Sequence, residues 1–479
     1  MKKRRRLSLM EIIHGYRVTF LLCFSFLAFS GLQAQLTTKD TLSLSNFLQF
    51  VQQYHPVSKQ IGMMIKSADA SYLSAKGNFD PKLYTQLESK TFQGKEYFNM
   101  LDAGVRIPTW VGLDVKAGFE NNRGTQINPE NTTPVDGLVY TQITVPLLQG
   151  LMIDERRTVL RQADLSRKMS VFEMTNALND LFYQAGKAYF DWQLAEANLP
   201  VFQQAYDLSK DRMRATKRNT ELGDRPGIDT VEAKIQLQDR YVQLLQAQNE
   251  VQVSRLQLAV FLWDGNSLPL QLNENTFPED MSYAGLMART DSSIKEMGMV
   301  SDHPYLKTLD YKIQQLEIDR KWKREKLKPQ LNLSFSPITD ANRFSQVAFN
   351  QNKWGVGMYF PLFLRKERGD LQLARIKIQV AQWERDQKRN EIMNKVNVAV
   401  NRYANFNEQQ NKQEENVGNY ERLWLSEKKM FEIGESSLFM INSREISYMN
   451  SKVKLNELRN KYYKSALEVQ FARGQLAGR

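Results

Sequence analysis

Two histidines, His55 in "YHPVSK" and His303 in "DHPYLK", each stand directly before a proline; with His14 they are all the imidazole the chain has. An imidazole can hold a metal ion or pass a proton near neutral pH. A metal centre, however, needs three or four converging ligands, and the single cysteine, Cys23, lies in an apolar N-terminal run. No HExxH, GxSxG or phosphate-loop glycine pattern occurs, and no spacing of carboxylates singles out a catalytic pair. What remains is electrostatic: Asp224 in "ELGD" and Glu435 in "EIGE" occupy turns, and Asp229 and Glu232 follow just after the first turn. These residues imply no enzyme, no metal and no cofactor. The proline after each histidine marks a helix start instead, because its fixed φ is pre-set for a first helical turn.

The elements that carry these residues are duplicated. Pro56 and Pro81 bracket a polar helical run, and Pro304 and Pro329 bracket another with the same interval. Pro146 in "TVPLLQG" recurs as Pro361 in "YFPLFLR", and Gly223 recurs as Gly434. Three landmark pairs in one order describe two structural repeats, each a helix, strands, a long helix, a turn and a returning helix. The N-terminus "MKKRRRLSLMEIIHGYRVTFLLCFSFLAFSGLQAQ" is a basic stretch, an apolar run too short to span a bilayer, and a small-residue exit, which reads as a signal peptide over residues 1–34. The first repeat then covers 35–263, a connecting equatorial region 264–302, and the second repeat 303–479.

The formal net charge is +12, of which the leader supplies a large part. A mild, dispersed excess on an exported chain gives no reason to expect nucleic acid. No later apolar run reaches the ~20 residues of a membrane helix, so a membrane location requires a barrel.

Apolar residues from Met174 through Leu178, Leu181, Ala185, Tyr189, Trp192, Ala195, Leu199, Phe202 and Tyr206 alternate threes and fours like a coiled-coil seam. The spacing predicts a helix over about 151–219, with Pro200 kinking or breaking it. Returning helices are expected to about Trp263 and over about 438–475, and a second long helix over about 366–432. The strands alternate with period 2: Leu331, Leu333 and Phe335 share one face of "QLNLSFS", and Trp354, Val356, Met358 and Phe360 one face of "KWGVGMYF". Further alternating runs lie near Thr85, Leu101, Leu113 and Leu138, two of them forming a hairpin over 98–121 across "PTWVG". Four to six strands cannot close a barrel alone, since the smallest bacterial examples use eight, so a barrel must be shared between chains.

Over the whole mature length the chain resembles the TolC family of outer-membrane efflux proteins. The resemblance rests on "LSLSNFLQFVQQYHP", the strand exits "VPLLQG" and "FPLFLR", and the turns "LGDRPGIDTVEAK" and "IGESSLFMINSRE". It implies an α+β membrane fold in which long α-helical hairpins form a periplasmic coiled-coil tunnel below a transmembrane β-barrel shared between chains. It further implies a homotrimer giving four strands per chain, in the outer membrane of a Gram-negative bacterium and in contact with its lipid, with a long periplasmic extension. A periplasmic adaptor (membrane fusion) protein and an inner-membrane pump or exporter are its implied partners. The family's adaptor-docking triplets match Leu222, Gly223, Asp224 and Ile433, Gly434, Glu435, with acidic third positions where the family has an apolar residue. The tunnel entrance matches Asp229, Glu232, Met440 and Ser443, although Asp229 could instead be the N-cap of the returning helix. Pro146 and Pro361 mark the exits of the barrel strands, and the 98–121 hairpin is expected to extend on the extracellular side. The rival reading is a periplasmic coiled-coil scaffold or adaptor.

Overall fold

The computed structural model describes residues 41–279, 283–295, 300–343 and 350–477; the leader read over 1–34 lies outside them. The first repeat runs β1 (Thr41–Leu42), α1 (Leu44–Tyr54), α2 (Pro56–Lys76), then β2 (Lys82–Phe92), β3 (Lys95–Pro108), β4 (Asp114–Arg123) and β5 (Leu138–Pro146), then α3 (Glu155–Glu221) and α4 (Gly227–Ala259). After β6 (Phe277–Pro278) and α5 (Ala284–Lys295), the second repeat runs α6 (Pro304–Glu325), β7 (Gln330–Asp340), β8 (Asn352–Tyr359), α7 (Arg365–Glu432) and α8 (Leu438–Ala472).

The long helices end where the sequence places their caps. Asp154 accepts the Arg157 amide at the start of α3, and Ser437 accepts the Met440 amide at the start of α8. α3 spans 67 residues, about 100 Å at 1.5 Å per residue, and runs unbroken through Pro200. Its core-facing residues follow the expected seam down to Ala195 and then shift to Val201, Ala205 and Ser209. These small side chains let α8 approach closely, whereas Leu199, Phe202 and Tyr206 are only half-buried. In the half nearer the sheet, α3 packs on α2 and α6, and α6 packs on α7; in the far half, α3 packs on α4 and α8, and α8 on α7. Each chain is therefore a slab of four helices at either level.

The core lies at mid-length, where Phe47 and Val51 of α1 meet Tyr189, Phe190 and Trp192 of α3, Leu258 of α4 and Leu467 of α8. Gly186 admits α8 here, because a Cβ would stand 2.5 Å from a Leu467 methyl. The His-Pro pairs flank this core. His55 Nδ1 accepts the Val57 amide (3.2 Å) and His303 Nδ1 the Tyr305 amide (3.1 Å), capping α2 and α6. The rest of each ring is spent on the other helix of its repeat: His55 donates to the Val260 carbonyl just past α4, and His303 to the Ala472 carbonyl at the end of α8. Each imidazole is thus a neutral Nε2–H rivet between a helix start and a helix end. Burial holds both pKa values down, that of His303 to about 4.

The other end of the molecule is one antiparallel sheet in the order β2-β3-β4-β5-β7-β8. The 98–121 hairpin, expected to extend on the extracellular side, is β3–β4, and it lies within the sheet. Its turn, Thr109 to Leu113, faces the helices: Trp110 stacks on Phe79 at 5.1 Å, and Gly112 abuts the Arg157 guanidinium. The sheet holds six strands, two more than the four per chain that the resemblance implies for a barrel: β2 pairs β3 over its full length, and β3 pairs β4 from Asn99 to Pro108.

Candidate functional site

The sheet's register sorts its side chains into two faces. Opposed residues share a face, so Val105, Ala117 and Thr141 are on one side, as are Ala103, Phe119 and Val139, and Ile107, Val115, Ile143, Phe335 and Trp354. The expected apolar faces of β7 and β8 fall on this same side, with Leu333 paired to Val356 and Leu331 to Met358. The other side carries Asp102 beside Glu120, Arg106 beside Lys116 and Gln142, and Ser334 beside Gly355. One face suits hydrocarbon and the other water, the alternation of a barrel wall. At its helix-side margin, Trp110, Leu147, Leu148, Met152, Leu362 and Phe363 are exposed around the exits at Pro146 and Pro361, as interfacial side chains would be. The single apolar pattern of each strand was visible in sequence, but this collar was hidden because its members come from three separate turns.

At the far end the two turns are built alike. Gly223 (φ 80°) and Gly434 (φ 82°) are left-handed. The Gly223 amide donates to the Thr220 carbonyl and the Asp224 amide to Asn219; likewise Gly434 donates to Phe431 and Glu435 to Met430. These are Schellman stops, in which glycine avoids the Cβ penalty. They leave Leu222, Asp224, Ile433 and Glu435 exposed at the tips.

Asp229 is not the N-cap of α4. Pro226 holds that position, and Asp229, in the first turn, pairs with Arg225 at 3.5 Å. The Arg225 guanidinium lies 4.7 Å over the Phe431 ring, so the two tips of one chain touch through it. Glu232 is half-buried on α4, and Met440 and Ser443 stand in the first turns of α8, Met440 exposed. The structure therefore brings Asp229 to the inter-tip contact through Arg225, while Glu232, Met440 and Ser443 stay on separate helix starts.

Sequence reasoning missed the joint above the tips. Arg212 of α3 donates to the Glu445 carboxylate and to the Asn442 amide oxygen of α8. Glu445 is only 2% exposed. Buried Arg240 of α4 lies close enough for Glu445 to act on it, and its desolvation lowers its pKa. Polar residues buried in a long helix leave no periodic signal, which is why the pattern gave no hint. Among the described residues no cluster of three or more His, Cys, Asp or Glu could hold a metal ion, and no helix is long and apolar enough to cross a membrane.

A sheet with one lipid-type face, standing on two helices about 100 Å long that each pair with shorter neighbours, is the fold that solved structures of outer-membrane channels share. The CmeC outer membrane channel of Campylobacter jejuni superposes with a TM-score of 0.62 at 15% identity, over 90% of this chain and 85% of that one. The outer membrane protein VceC of Vibrio cholerae gives 0.61 at 14%, over 90% and 96%. The MtrE outer membrane channel of Neisseria gonorrhoeae, in its open state, gives 0.61 at 12%, over 90% and 88%. No curated protein matches the chain in sequence. Residues 301–475 match the model of the family described as outer membrane efflux protein.

Proposed function

We propose that the chain is the outer-membrane channel-tunnel of a tripartite efflux or type I secretion system. Three copies form a passive exit duct for substrates delivered by an inner-membrane pump through a periplasmic adaptor. The observation that carries this is the pair of open edges. At the helical level, exposed Ile228, Val231, Ile235, Val242 and Leu245 run in threes, fours and sevens along α4, and exposed Leu373, Ile376, Val380 and Trp383 along α7. These are half-seams without a partner in the chain. At the sheet level, neither β2 nor β8 has a second neighbour among the described residues. Rotation about one axis would satisfy both levels together.

The tips bearing Asp224 and Glu435 then face the adaptor, and Asp229 and Glu232 the tunnel entrance. A periplasmic scaffold has no use for the lipid-type face, which favours the channel. Single-channel recording of the detergent-extracted protein in a planar bilayer, with its mass in detergent, tests the reading. Discrete steps from a trimer are expected; a soluble elongated particle that never inserts would replace it with the scaffold.

A further inference from the structure

We propose that all six strands of this sheet are membrane wall, so that three copies close an eighteen-stranded barrel by pairing β2 with β8 of the next copy. The inference rests on the trimeric channel proposed above and specifies its wall.

The first support is the phase of the alternation. In β2, Leu83 is opposite Val105, Thr85 opposite Ala103 and Leu87 opposite Leu101, so the apolar face of β3–β8 continues into β2 without a slip. Leu83 and Leu87 are 86% and 67% exposed. A hairpin destined for water has no reason to hold leucines in phase with a lipid-facing wall, and a one-residue shift would reverse the whole face.

The second support is a row across four strands on the opposite, polar face: Tyr84, Gly104, Gly118 and Tyr140 are successive register partners. The two tyrosines lie inward over the glycines, and their hydroxyls meet. Tyr140 donates onward to Asp102 at 2.8 Å, leaving Tyr84 as the donor between the rings. A Cβ on Gly118 would stand 2.7 Å from the Tyr140 ring, and one on Gly104 2.8 Å from the Tyr84 hydroxyl. Aromatic side chains laid over strand glycines pin register, and this pair pins β2 and β3 flat against β4 and β5.

The third support is width. Four helices packed 8–10 Å apart span about 32–40 Å of arc per chain. Six strands spaced ~4.8 Å and tilted ~40° span about 38 Å, whereas four would span about 25 Å. The six-stranded sheet therefore covers its own helical slab. The closed wall would be about 36 Å across between backbones, against about 24 Å for twelve strands. An even number of strands per chain also makes the junction antiparallel, and it satisfies backbone groups that lipid cannot.

The test is nitroxide accessibility on the mature protein, which lacks Cys23, in liposomes, with single cysteines in place of Leu83, Thr85 and Leu87, of Gln86 and Glu88, and of Leu333 and Val356 as references. We expect Leu83→Cys, Thr85→Cys and Leu87→Cys to be reached by oxygen from the bilayer as fully as the references. Gln86→Cys and Glu88→Cys should instead be reached by a water-soluble nickel chelate. References in lipid with every β2 site in water would overturn the eighteen-stranded wall and leave the channel standing. References in water would overturn both.

Discussion

His303 accepts the Tyr305 amide at Nδ1 and donates to the Ala472 carbonyl, so its two nitrogens hold the start of α6 to the end of α8. A proton on Nδ1 turns that acceptor into a donor and leaves a charge where little water reaches. Burial is the main cause of the depressed pKa; the Ala472 bond opposes it, and Lys388 and Lys395 add to it. The folded value is about 4 against 6.5 for a free imidazole. Between those values the unfolded chain binds more protons than the folded one, so the stability held by the neutral rivet is complete above pH 6.5 and drains away as pH falls towards 4. That gap corresponds to roughly 3 kcal/mol per chain, most of which is gone by pH 4.5.

For roughly 440 folded residues at about 2.1 cal/mol/K each, that loss lowers the melting temperature by about 3 °C. The assay is thermal unfolding in detergent at pH 7.5 and 4.5, comparing the native chain with His303→Asn. Asparagine keeps an oxygen that can cap Tyr305 but does not titrate, so the variant should start about 1 °C lower and lose about 3 °C less on acidification. His55 is lowered by burial in the same direction, so adding His55→Asn should flatten the acid response further. Equal losses on acidification in native and variant chains would refute the reasoning.

Other changes follow from the joints around the tunnel. Glu445→Gln leaves Arg212 buried without its carboxylate and should cost about 3–5 kcal/mol per chain, measured as a melting shift at neutral pH. Gly186→Val forces a branched side chain against Leu467, 2.5 Å from the new Cβ, and should cost about 1–3 kcal/mol, measured as a melting shift at neutral pH. Asp224→Lys with Glu435→Lys should weaken co-purification with the adaptor if the tips dock on basic residues; undiminished co-purification rejects that role. Asp229→Asn with Glu232→Gln should reduce cation selectivity in bilayer recordings, and an unchanged reversal potential removes them from the entrance.

Helix positions were legible because each boundary has a local chemical cause: Pro56 and Pro304 start helices, and Gly223 and Gly434 stop them. The continuity of α3 through Pro200 was not legible, since packing of α4 and α8 on its far half holds a turn that proline weakens. The same limit hid the fate of the α4 stripe. Val231, Ile235 and Val242 form an apolar stripe, but the residues buried within the chain include Ala233, Leu244, Ala247 and Val251. A heptad reports that a seam exists and not which chain supplies the other half. At the candidate site, the tip turns were readable as short motifs, whereas the Arg212, Glu445 and Asn442 joint required two helices more than 200 residues apart to meet.

The two repeats agree in their rivets and stops yet differ in their strands, and the reason is topological. Each imidazole joins the start of one helix to the end of another, so changing one without the other opens a joint beside the core. A hairpin has no such partner: β2 and β3 add one strand up and one down, returning the chain to the end of the sheet from which the helices leave. The addition needs two tight turns, one at Gln93 and Gly94 between β2 and β3 (φ 52° and 75°) and one at Thr109 to Leu113 between β3 and β4 (Gly112 at φ 91°), and an apolar phase that matches its neighbours. Strands can therefore be gained in pairs in one repeat while the helices stay fixed at two long hairpins. A single added strand would deliver α3 to the opposite end of the sheet. The departure from twofold likeness is thus confined to the one layer of the molecule where growth in pairs leaves every other joint intact.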